Sequence, residues 1–277
     1  MNSITTEQLD IAYDDTIIVK ELNMQIPHGK VTSIIGPNGC GKSTVLKAVG
    51  RILKPKCGMV YLDGDDIRNL STKEVAKKMA ILPQTPTAPS GLTVSELVAY
   101  GRFPHQKGFG KLTPEDKKIV KWALEVTKLS GFENREVDTL SGGQRQRVWI
   151  AMALAQQTDL ILLDEPTTYL DLAHQLEVLS LLFELNRDQN CTIVMVLHDL
   201  NLAARFSDYM IAIQKGKIIK HGSPKDVMTA RVLRKTFQID AVIVQEPRTG
   251  RPICLTYDVL QGEESVTGYH KKEGVAV

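Results

Sequence analysis

Apolar and amphipathic stretches alternate along the chain and predict an α/β fold. Three continuous apolar runs stand out, VTSII at 31–35, LILL at 160–163 and TIVMVL at 192–197. Runs of this length suit strands that are buried on both faces of a parallel sheet. Because helical patterns separate them, we expect strands and helices to alternate around one sheet.

The pattern changes on either side of this core. Residues 4–35 are broken by turn residues into short strands, which predicts a β-rich opening. Between about 71 and 155 the pattern is mainly helical, with Thr113 as a candidate helix cap and Pro114 suited to the first helical position. This region is therefore predicted to be a helical insertion in the core.

The C-terminal part predicts two further pairs of strands. One pair flanks Lys215 and Gly216 in YMIAIQKGKIIKHG, and the other turns near Thr249 and Gly250 in AVIVQEPRTGRPICL. The last residues, 261–277, carry few apolar side chains and are expected to be a disordered tail.

Composition limits the kinds of partner and the cellular compartment that we expect for this chain. Lys plus Arg exceed Asp plus Glu only by 34 to 32, so net charge indicates no nucleic-acid partner and any partner must be inferred from a site. The four cysteines form no metal-binding or C-x-x-C spacing, which favours a reducing compartment. The N-terminal residues lack a signal-peptide pattern, and no apolar run approaches about 18 residues. We therefore expect a cytoplasmic chain that is not exported and does not span a membrane.

The stretch IIGPNGCGKST, at 34–44, holds the first candidate chemistry. Gly36, Gly41, Lys42 and Ser43 match the pattern G-x-x-x-x-G-K-[ST], and the stretch follows an apolar strand and precedes a helix. In such a loop, backbone N–H groups and a helix N-terminus surround phosphate oxygens, the lysine reaches the β- and γ-phosphates and the hydroxyl can bind Mg²⁺. The alternative is a glycine-rich turn with a chance lysine.

Three further polar residues end the other two apolar runs. Asp164 and Glu165 follow LILL, and His198 follows TIVMVL. Neighbouring strand residues point to opposite faces, so the two carboxylates are expected to act differently, Asp164 on Mg²⁺ through water and Glu165 on the attacking water. His198 could reach a γ-phosphate. The alternatives are a solvated acidic strand end and a structural histidine.

The segment LSGGQRQR, from Leu140 to Arg147, predicts a second anion site at the start of a helix. A serine and two glycines at a helix start can bind an anion through backbone N–H groups. One chain carries two predicted anion sites, the phosphate loop and this segment, but only one phosphate loop. The segment therefore suggests that two chains share their nucleotides.

Taken together, these motifs resemble those of the ATP-binding cassette (ABC) family over about residues 3–240. GPNGCGKST is similar to the Walker A loop, Gln84 looks like the Q-loop glutamine, and LSGGQ is the family signature. LILLDE looks like Walker B with its catalytic glutamate, YLD at 169–171 stands at the D-loop, and His198 stands at the switch histidine. Tyr169 departs from the small residue that many relatives carry there, which bears on coupling between subunits.

The resemblance implies roles for individual residues. Catalysis is implied for Glu165 and His198. The ATP-binding residues would be Tyr13, on which adenine stacks, and Gly36, Pro37, Asn38, Gly39, Cys40, Gly41, Lys42, Ser43 and Thr44. The partner's ATP would meet Ser141, Gly142, Gly143 and Gln144, in a head-to-tail homodimer. The implied Mg²⁺ ligands are Ser43, Gln84 and Asp164.

The same resemblance implies a fold and a domain organisation. The fold would be a P-loop NTPase core with an antiparallel β subdomain and an inserted helical subdomain. Residues 1–240 would form the ATP-binding domain, with the helical subdomain at about 84–158, followed by a C-terminal β-hairpin at 241–260 and the tail.

Finer likeness points to one branch of the family. VSELVAYGRFPHQ, TTYLDLAHQLEVL, VLHDLNLAARFSD and DAVIVQEPRTGRPICL together look like ATPase subunits of bacterial iron-siderophore importers, with heme and cobalamin importers as close relatives. This implies a peripheral ATPase at the cytoplasmic face of the membrane that drives two permease subunits and serves an extracytoplasmic substrate-binding protein. The alternatives are an ABC ATPase acting on DNA or ribosomes, and an ordinary P-loop kinase, which would leave LSGGQ without a purpose.

Cys40 lies inside the phosphate loop, close to Lys42 and just ahead of a helix N-terminus. This electropositive setting predicts a lowered thiol pKa and a reactive cysteine that MgATP protects. The alternative is an inert small residue, because burial would raise the pKa instead.

Overall fold

Three sheets and the helices that pack on them make up the part of the chain that the structure describes. The structure is a computed structural model that describes residues 2–106 and 111–260. The tail expected at 261–277 lies outside the described residues. The strands are β1 (Asn2–Tyr13), β2 (Thr16–Pro27), β3 (Val31–Ile35), β4 (Cys57–Leu62), β5 (Asp65–Asp66), β6 (Met79–Leu82), β7 (Leu160–Asp164), β8 (Thr192–Val196), β9 (Tyr209–Gln214), β10 (Lys217–Gly222), β11 (Ile239–Gln245) and β12 (Pro252–Val259).

The helices follow the same chain order. They are α1 (Lys42–Val49), α2 (Thr72–Lys78), α3 (Val94–Ala99), α4 (Pro114–Val126), α5 (Gly142–Ala155), α6 (Leu172–Gln189), α7 (Leu200–Phe206), α8 (Pro224–Val227) and α9 (Ala230–Phe237). Two 3-10 turns occupy Tyr100–His105 and Val137–Thr139. No helix within the described ranges is both long and apolar enough to cross a membrane.

The central sheet has the order β10-β9-β3-β8-β7-β6. The pairs among β9, β3, β8, β7 and β6 are all parallel, and only β10 runs antiparallel to its neighbour. The three apolar runs of the sequence are β3, β7 and β8, and each of their residues is buried, as the pattern predicts. A parallel sheet places the carboxyl ends of these strands at one edge, where ligands usually bind.

One strand of this sheet interrupts the region predicted as mainly helical. The residues of β6, MAIL, follow α2 directly and pair with β7 at the sheet edge. The prediction of a helical stretch from about 71 was therefore wrong for these four residues. After β6 the chain turns to α3, α4 and α5, which pack on one another.

The two faces of the central sheet have separate cores. On one face, α1 and the antiparallel sheet β2-β1-β4-β5 cover the strands through residues such as Ile34, Val45 and Leu162. On the other face, α5, α6 and the rest of the helical region pack on Ile35, Leu163 and Met195. Alternate residues along a strand point to opposite faces, so each strand contributes to both cores.

A buried ion pair stabilises the helical region. Arg102 and Asp116 are both buried, and Arg102 Nε lies 2.8 Å from Asp116 Oδ1. Arg102 Nη1 also donates to the carbonyl oxygen of Ala155 at 2.8 Å, at the end of α5. Thr113 caps α4 as predicted, and Asp116 completes the capping box. The pair thus links the 3-10 turn at Tyr100–His105 to both α4 and α5.

The strands β11 and β12 form a separate two-stranded hairpin. It packs against α7 and α9. Arg251 anchors its turn, because Nη1 donates to the carbonyl oxygen of Ala204 at 2.8 Å.

Candidate functional site

The phosphate loop connects β3 to α1 at the carboxyl edge of the sheet. Gly41 is the N-cap of α1 with φ of +103°, a left-handed conformation that favours glycine. Lys42 is buried, and its Nζ donates to the carbonyl oxygens of Gly36 at 2.8 Å and Pro37 at 3.0 Å. The loop carbonyls therefore hold the lysine cation inside the curve of the loop.

A cavity of about 490 Å³ opens above this loop. Its walls include most of the residues that the sequence assigns to ATP and catalysis. They are Tyr13, Ile18, Asn38, Gly39, Gly41, Lys42, Ser43, Thr44, Gln84, Glu165 and His198. Tyr13 is 43% exposed, so its ring is available to a planar base at the mouth of the cavity.

Glu165 stands at the far wall and is held by three side chains. His198 Nε2 lies 2.6 Å from its Oε1. Gln84 Nε2 donates to Oε2 at 2.6 Å, and Thr168 Oγ1 donates to the same oxygen at 2.9 Å. The three contacts fix the carboxylate in place at the edge of the cavity.

The backbone of Glu165 differs from the expected strand geometry. Strand β7 ends at Asp164, and Glu165 has φ of +53°, which is uncommon for a residue other than glycine. The two carboxylates therefore diverge because the chain turns sharply between them, whereas alternation along a strand was expected. Strained conformations of this kind cost about 1–3 kcal/mol and cluster at functional sites.

Asp164 faces the start of α1 and contacts the other predicted metal ligand. Ser43 Oγ donates to Asp164 Oδ1 at 2.8 Å. Asp164 is 4% exposed. The hydroxyl and carboxylate oxygens thus lie side by side beneath the phosphate loop, a donor set that suits Mg²⁺.

The pKa values of Asp164 and Glu165 are shifted in opposite directions. Burial raises the pKa of Asp164, and the nearby Glu165 charge adds to this, although the Ser43 hydrogen bond acts against it. Burial would also raise the pKa of Glu165, but the hydrogen bonds from His198 and Thr168, together with Gln84, outweigh it and lower that pKa. Glu165 is therefore an anion at neutral pH, and its carboxylate lies at the wall of the cavity.

The signature residues lie apart from this cavity. Within the described chain, none of residues 141–144 lines it. Ser141 is the N-cap of α5, its Oγ accepts from Gln144 N at 3.3 Å, and Gln144 Oε1 accepts from Ser141 N at 3.1 Å. Ser141 and Gly142 are exposed, whereas Gly143 is buried. One chain therefore brings most of the predicted site residues to the cavity, with Asp164 joined to it through Ser43. Gly36, Pro37, Cys40 and the signature residues do not line it.

Cys40 is the one loop residue whose expected behaviour the structure contradicts. It is 4% exposed and packs in the core beneath the loop. Burial raises the pKa of its thiol, and the Lys42 charge only partly opposes that effect. The expectation of a lowered thiol pKa was therefore wrong, and the burial of Cys40 favours the inert alternative.

Sequence reasoning missed Thr168 as a contact of Glu165. The residue follows Glu165 by three positions in the turn after β7, and Thr168 N donates to the Glu165 carbonyl oxygen at 3.2 Å. The turn thus brings the hydroxyl back to the carboxylate, and the only signal in the sequence was a threonine pair in DEPTTYLD.

Comparison with known proteins places this site in a family. The family model described as ABC transporter matches residues 19–168. The chain is 63% identical over 266 residues to the iron(3+)-hydroxamate import ATP-binding protein FhuC of Bacillus subtilis (strain 168), covering 96% of this chain and 99% of that protein. It is 46% identical over 249 residues to the ferric enterobactin transport ATP-binding protein FepC of Escherichia coli (strain K12), covering 90% and 92%.

A solved structure agrees with the observed fold. The dimeric structure of MJ0796, a bacterial ABC transporter cassette, superposes with a TM-score of 0.70 at 33% identity, covering 79% of this chain and 98% of that one.

Proposed function

This chain belongs to the ABC transporter family, and we propose that it is the ATP-hydrolysing subunit of a bacterial importer for ferric siderophores. Two observations support the proposal together. The chain matches an iron(3+)-hydroxamate import subunit along 96% of its own length. Its cavity is also lined by most residues of one proposed ATPase half-site, from Tyr13 at the mouth to Glu165 at the wall.

In this proposal the residues of the cavity take distinct steps. Loop N–H groups and Lys42 bind the β- and γ-phosphates and stabilise charge that develops during phosphoryl transfer. Glu165 accepts hydrogen bonds from an attacking water and takes its proton. His198 and Gln84 orient Glu165, which they contact at 2.6 Å each, and His198 is close enough to the site to bind the γ-phosphate.

Mg²⁺ is the cofactor that these oxygen atoms suit, in addition to ATP. Ser43 and Asp164 would hold it, with the Gln84 amide oxygen as a third ligand, and bound Mg²⁺ would neutralise phosphate charge. The described residues contain no cluster of three or more His, Cys, Asp or Glu side chains that could hold a metal on their own.

The divided site supports a head-to-tail homodimer. The exposed signature residues of one chain have no nucleotide cavity of their own, and the cavity of the other chain lacks a signature wall. Two copies related by a twofold axis would complete both sites at once. The match to a dimeric cassette structure supports this arrangement.

A permease partner is proposed at the 3-10 turn Tyr100–His105. The rings of Tyr100 and Phe103 stack with centroids 4.9 Å apart, and both are exposed, Phe103 by 58%. Exposed stacked aromatic rings are typical of interface cores rather than of a solvated surface. Two permease subunits would hold the dimer at the cytoplasmic face of the membrane, and an extracytoplasmic protein would deliver the cargo.

We propose the same domain boundaries that the sequence predicts. Residues 1–240 form the ATP-binding domain, with the helical subdomain at about 84–158 presenting both the aromatic turn and the signature. The hairpin assigned to 241–260 lies behind α7 and is assigned no step.

The cargo is tested by growth and uptake. A strain lacking this chain should fail to grow on ferric hydroxamates as sole iron source, and plasmid-borne wild-type protein should restore growth whereas Glu165→Gln should not. Ferric catecholates, heme and cobalamin provide the contrasting panel. Normal growth of the deletion strain on every ferric siderophore, with a defect on heme or cobalamin, would assign the chain to one of those importers instead.

A further inference from the structure

The first turn of α5 leaves no room for a side chain at Gly143, because the imidazole ring of His174 occupies that space. A Cβ atom on Gly143 would lie 2.6 Å from His174 Cδ2 and 3.0 Å from its Cγ. Gly143 is buried at this contact, and the His174 side chain is 41% exposed. A ring from α6 therefore supports the backbone of the signature segment, which we define as Ser141–Gln144.

Asp171 fixes the orientation of this ring. Its Oδ1 accepts from His174 N at 2.9 Å and lies 2.7 Å from His174 Nδ1. These hydrogen bonds, the backbone one first, lower the pKa of Asp171, so that the carboxylate is an anion and the ring donates through Nδ1. The ring carbon Cδ2 lies nearest to where the Gly143 Cβ would stand, and the other ring nitrogen, Nε2, lies 3.3 Å from the same point.

The loop Tyr169–Asp171, which precedes α6, lies beside the signature segment. Gln175 Nε2 donates to the carbonyl oxygen of Leu170 at 2.9 Å, and a Cβ on Gly142 would lie 3.9 Å from Leu170 Cδ2. Tyr169, the first residue of this loop, is 87% exposed. The signature segment and the loop Tyr169–Asp171 thus share one contact surface within the chain, and both reach the solvent beside it.

We infer that His174 is a positioning residue that holds the signature segment and the loop Tyr169–Asp171 in one geometry toward the nucleotide of the partner chain. The inference rests on the proposed head-to-tail dimer. Fixing both segments before the chains meet lowers the cost of ordering them on association. It also sets the position of the N–H groups that face the γ-phosphate, where displacements of about 1 Å can cost 10²-fold in rate.

The first test separates assembly from nucleotide binding. His174→Ala should leave binding of a fluorescent ATP analogue to the monomer unchanged, because the phosphate loop is untouched. Its turnover number should fall by roughly 10-fold or more, since the signature loses its support. In a Glu165→Gln background, MgATP should drive less of the His174→Ala chain into dimers, as measured by analytical ultracentrifugation.

Two variants divide the role of the ring. His174→Phe keeps the ring against Gly143 but cannot donate to Asp171, and His174→Gln keeps a donor for Asp171 but loses the ring. If the ring supports Gly143, His174→Phe should retain more dimer than His174→Gln. His221→Ala, which removes a histidine outside both segments, is the matched control and should assemble like the parent. Normal turnover and assembly of His174→Ala would overturn the inference.

The second test asks which of the two shared sites the histidine serves. Mixed with Lys42→Ala chains, His174→Ala chains should regain activity, because both defects fall in the same site of the heterodimer. Mixed with Ser141→Arg chains they should not, because each site then carries one defect. The opposite result would place His174 at its own phosphate loop and would contradict the inference.

A third mixture distinguishes failure of the proposed head-to-tail dimer from failure of the inference about His174. Ser141→Arg with Lys42→Ala tests the head-to-tail dimer without involving His174. If that mixture regains no activity, the shared-site model of the proposed function fails, and the inference that rests on it fails as well. If it regains activity while His174→Ala fails to pair with Lys42→Ala, only the inference about His174 is wrong.

Discussion

The phosphate-loop half and the signature half of the site are built in opposite ways. Lys42 and Asp164 are 5% and 4% exposed and hydrogen-bonded within the chain, whereas Ser141 is exposed and the adjoining loop residue Tyr169 is 87% exposed. The first half is a finished cavity on a buried sheet edge. The second is a surface whose ligand comes with another chain. Affinity for ATP should therefore belong to the first half, and commitment to hydrolysis should require both.

The largest expected effect is in the finished half. Glu165→Gln removes the proton acceptor while keeping the hydrogen-bonding shape, so turnover should fall by roughly 10²- to 10⁴-fold with ATP binding intact. With MgATP present, the dimer should then accumulate, because the closed dimer forms but its ATP is not hydrolysed. Steady-state phosphate release and sedimentation measure the two results, and turnover at the parent rate would show that Glu165 is not the base.

Lys42→Ala and Ser141→Arg compare the two halves directly. Lys42→Ala should weaken ATP binding to the monomer and lower turnover by about 10²-fold, because a buried cation is lost from the phosphate site. Ser141→Arg should abolish turnover through the dimer yet leave monomer binding unchanged. Equilibrium binding of a fluorescent ATP analogue distinguishes them, and equal loss of monomer binding in both variants would contradict the division into halves.

The helical region that carries the signature residues also contains the buried ion pair between Arg102 and Asp116. Arg102→Leu leaves the Asp116 carboxylate buried with only Thr113 as partner, so the free energy of unfolding should fall by about 3 kcal/mol. Lys121→Leu is the matched control, because its ion pair with Glu125 spans 3.7 Å and is exposed at both ends. That control should change stability by less than about 1 kcal/mol in urea titrations. Similar losses in the two variants would mean that burial of the pair adds nothing.

The same ion pair predicts a smaller, pH-dependent effect. Hydrogen bonds from Thr113 and Arg102 lower the pKa of Asp116 from 3.8 to about 2 in the folded chain. Stability from this group is therefore fully present above the unfolded pKa and is lost as the pH falls from 3.8 toward about 2. Urea midpoints measured through that window should fall less steeply for Asp116→Asn than for the wild type. Parallel curves would contradict the assignment.

The smallest effect concerns thiol labelling. Cys57 is exposed and Cys40 is 4% exposed, so brief maleimide treatment should modify Cys57 first and leave Cys40 largely unmodified. MgATP should change the labelling of Cys40 little, because the thiol already lies beneath the loop. Peptide mapping by mass spectrometry measures this order, and faster labelling of Cys40 would show that the loop opens in solution.

Much of the core follows from periodicity alone. Strands β3, β7 and β8 were predicted because the runs VTSII, LILL and TIVMVL are mainly apolar and carry no charged residue, which is typical of a sheet covered on both faces. Strand β6 was missed because four apolar residues after a lysine-rich helix end do not differ in pattern from one more helical turn. Its identity depends on pairing with β7, about 80 residues away, which no local pattern contains.

The site was predictable where a motif fixes backbone chemistry and not where packing decides. The motifs located the phosphate loop, Glu165 and His198, and the structure brings these together in one cavity. The sequence could place Cys40 beside Lys42, but it could not show that the thiol is buried. The contact between His174 and Gly143 joins residues that no spacing relates, because the turn after β7 determines where α6 begins.

The placement of β3 between β8 and β9 has a consequence for synthesis on the ribosome. Ile35, at the end of β3, pairs with Ala212, and Gly216 N donates to the Cys40 carbonyl oxygen at 2.9 Å. A nascent chain that has emerged only as far as α6 therefore has the whole phosphate-loop sequence but neither flanking strand to hold it. Non-local pairing of this kind forms late. ATP cannot stabilise the nascent chain until β9 and the turn at Gly216 have left the exit tunnel, so early folding of the N-terminal half must proceed without its ligand.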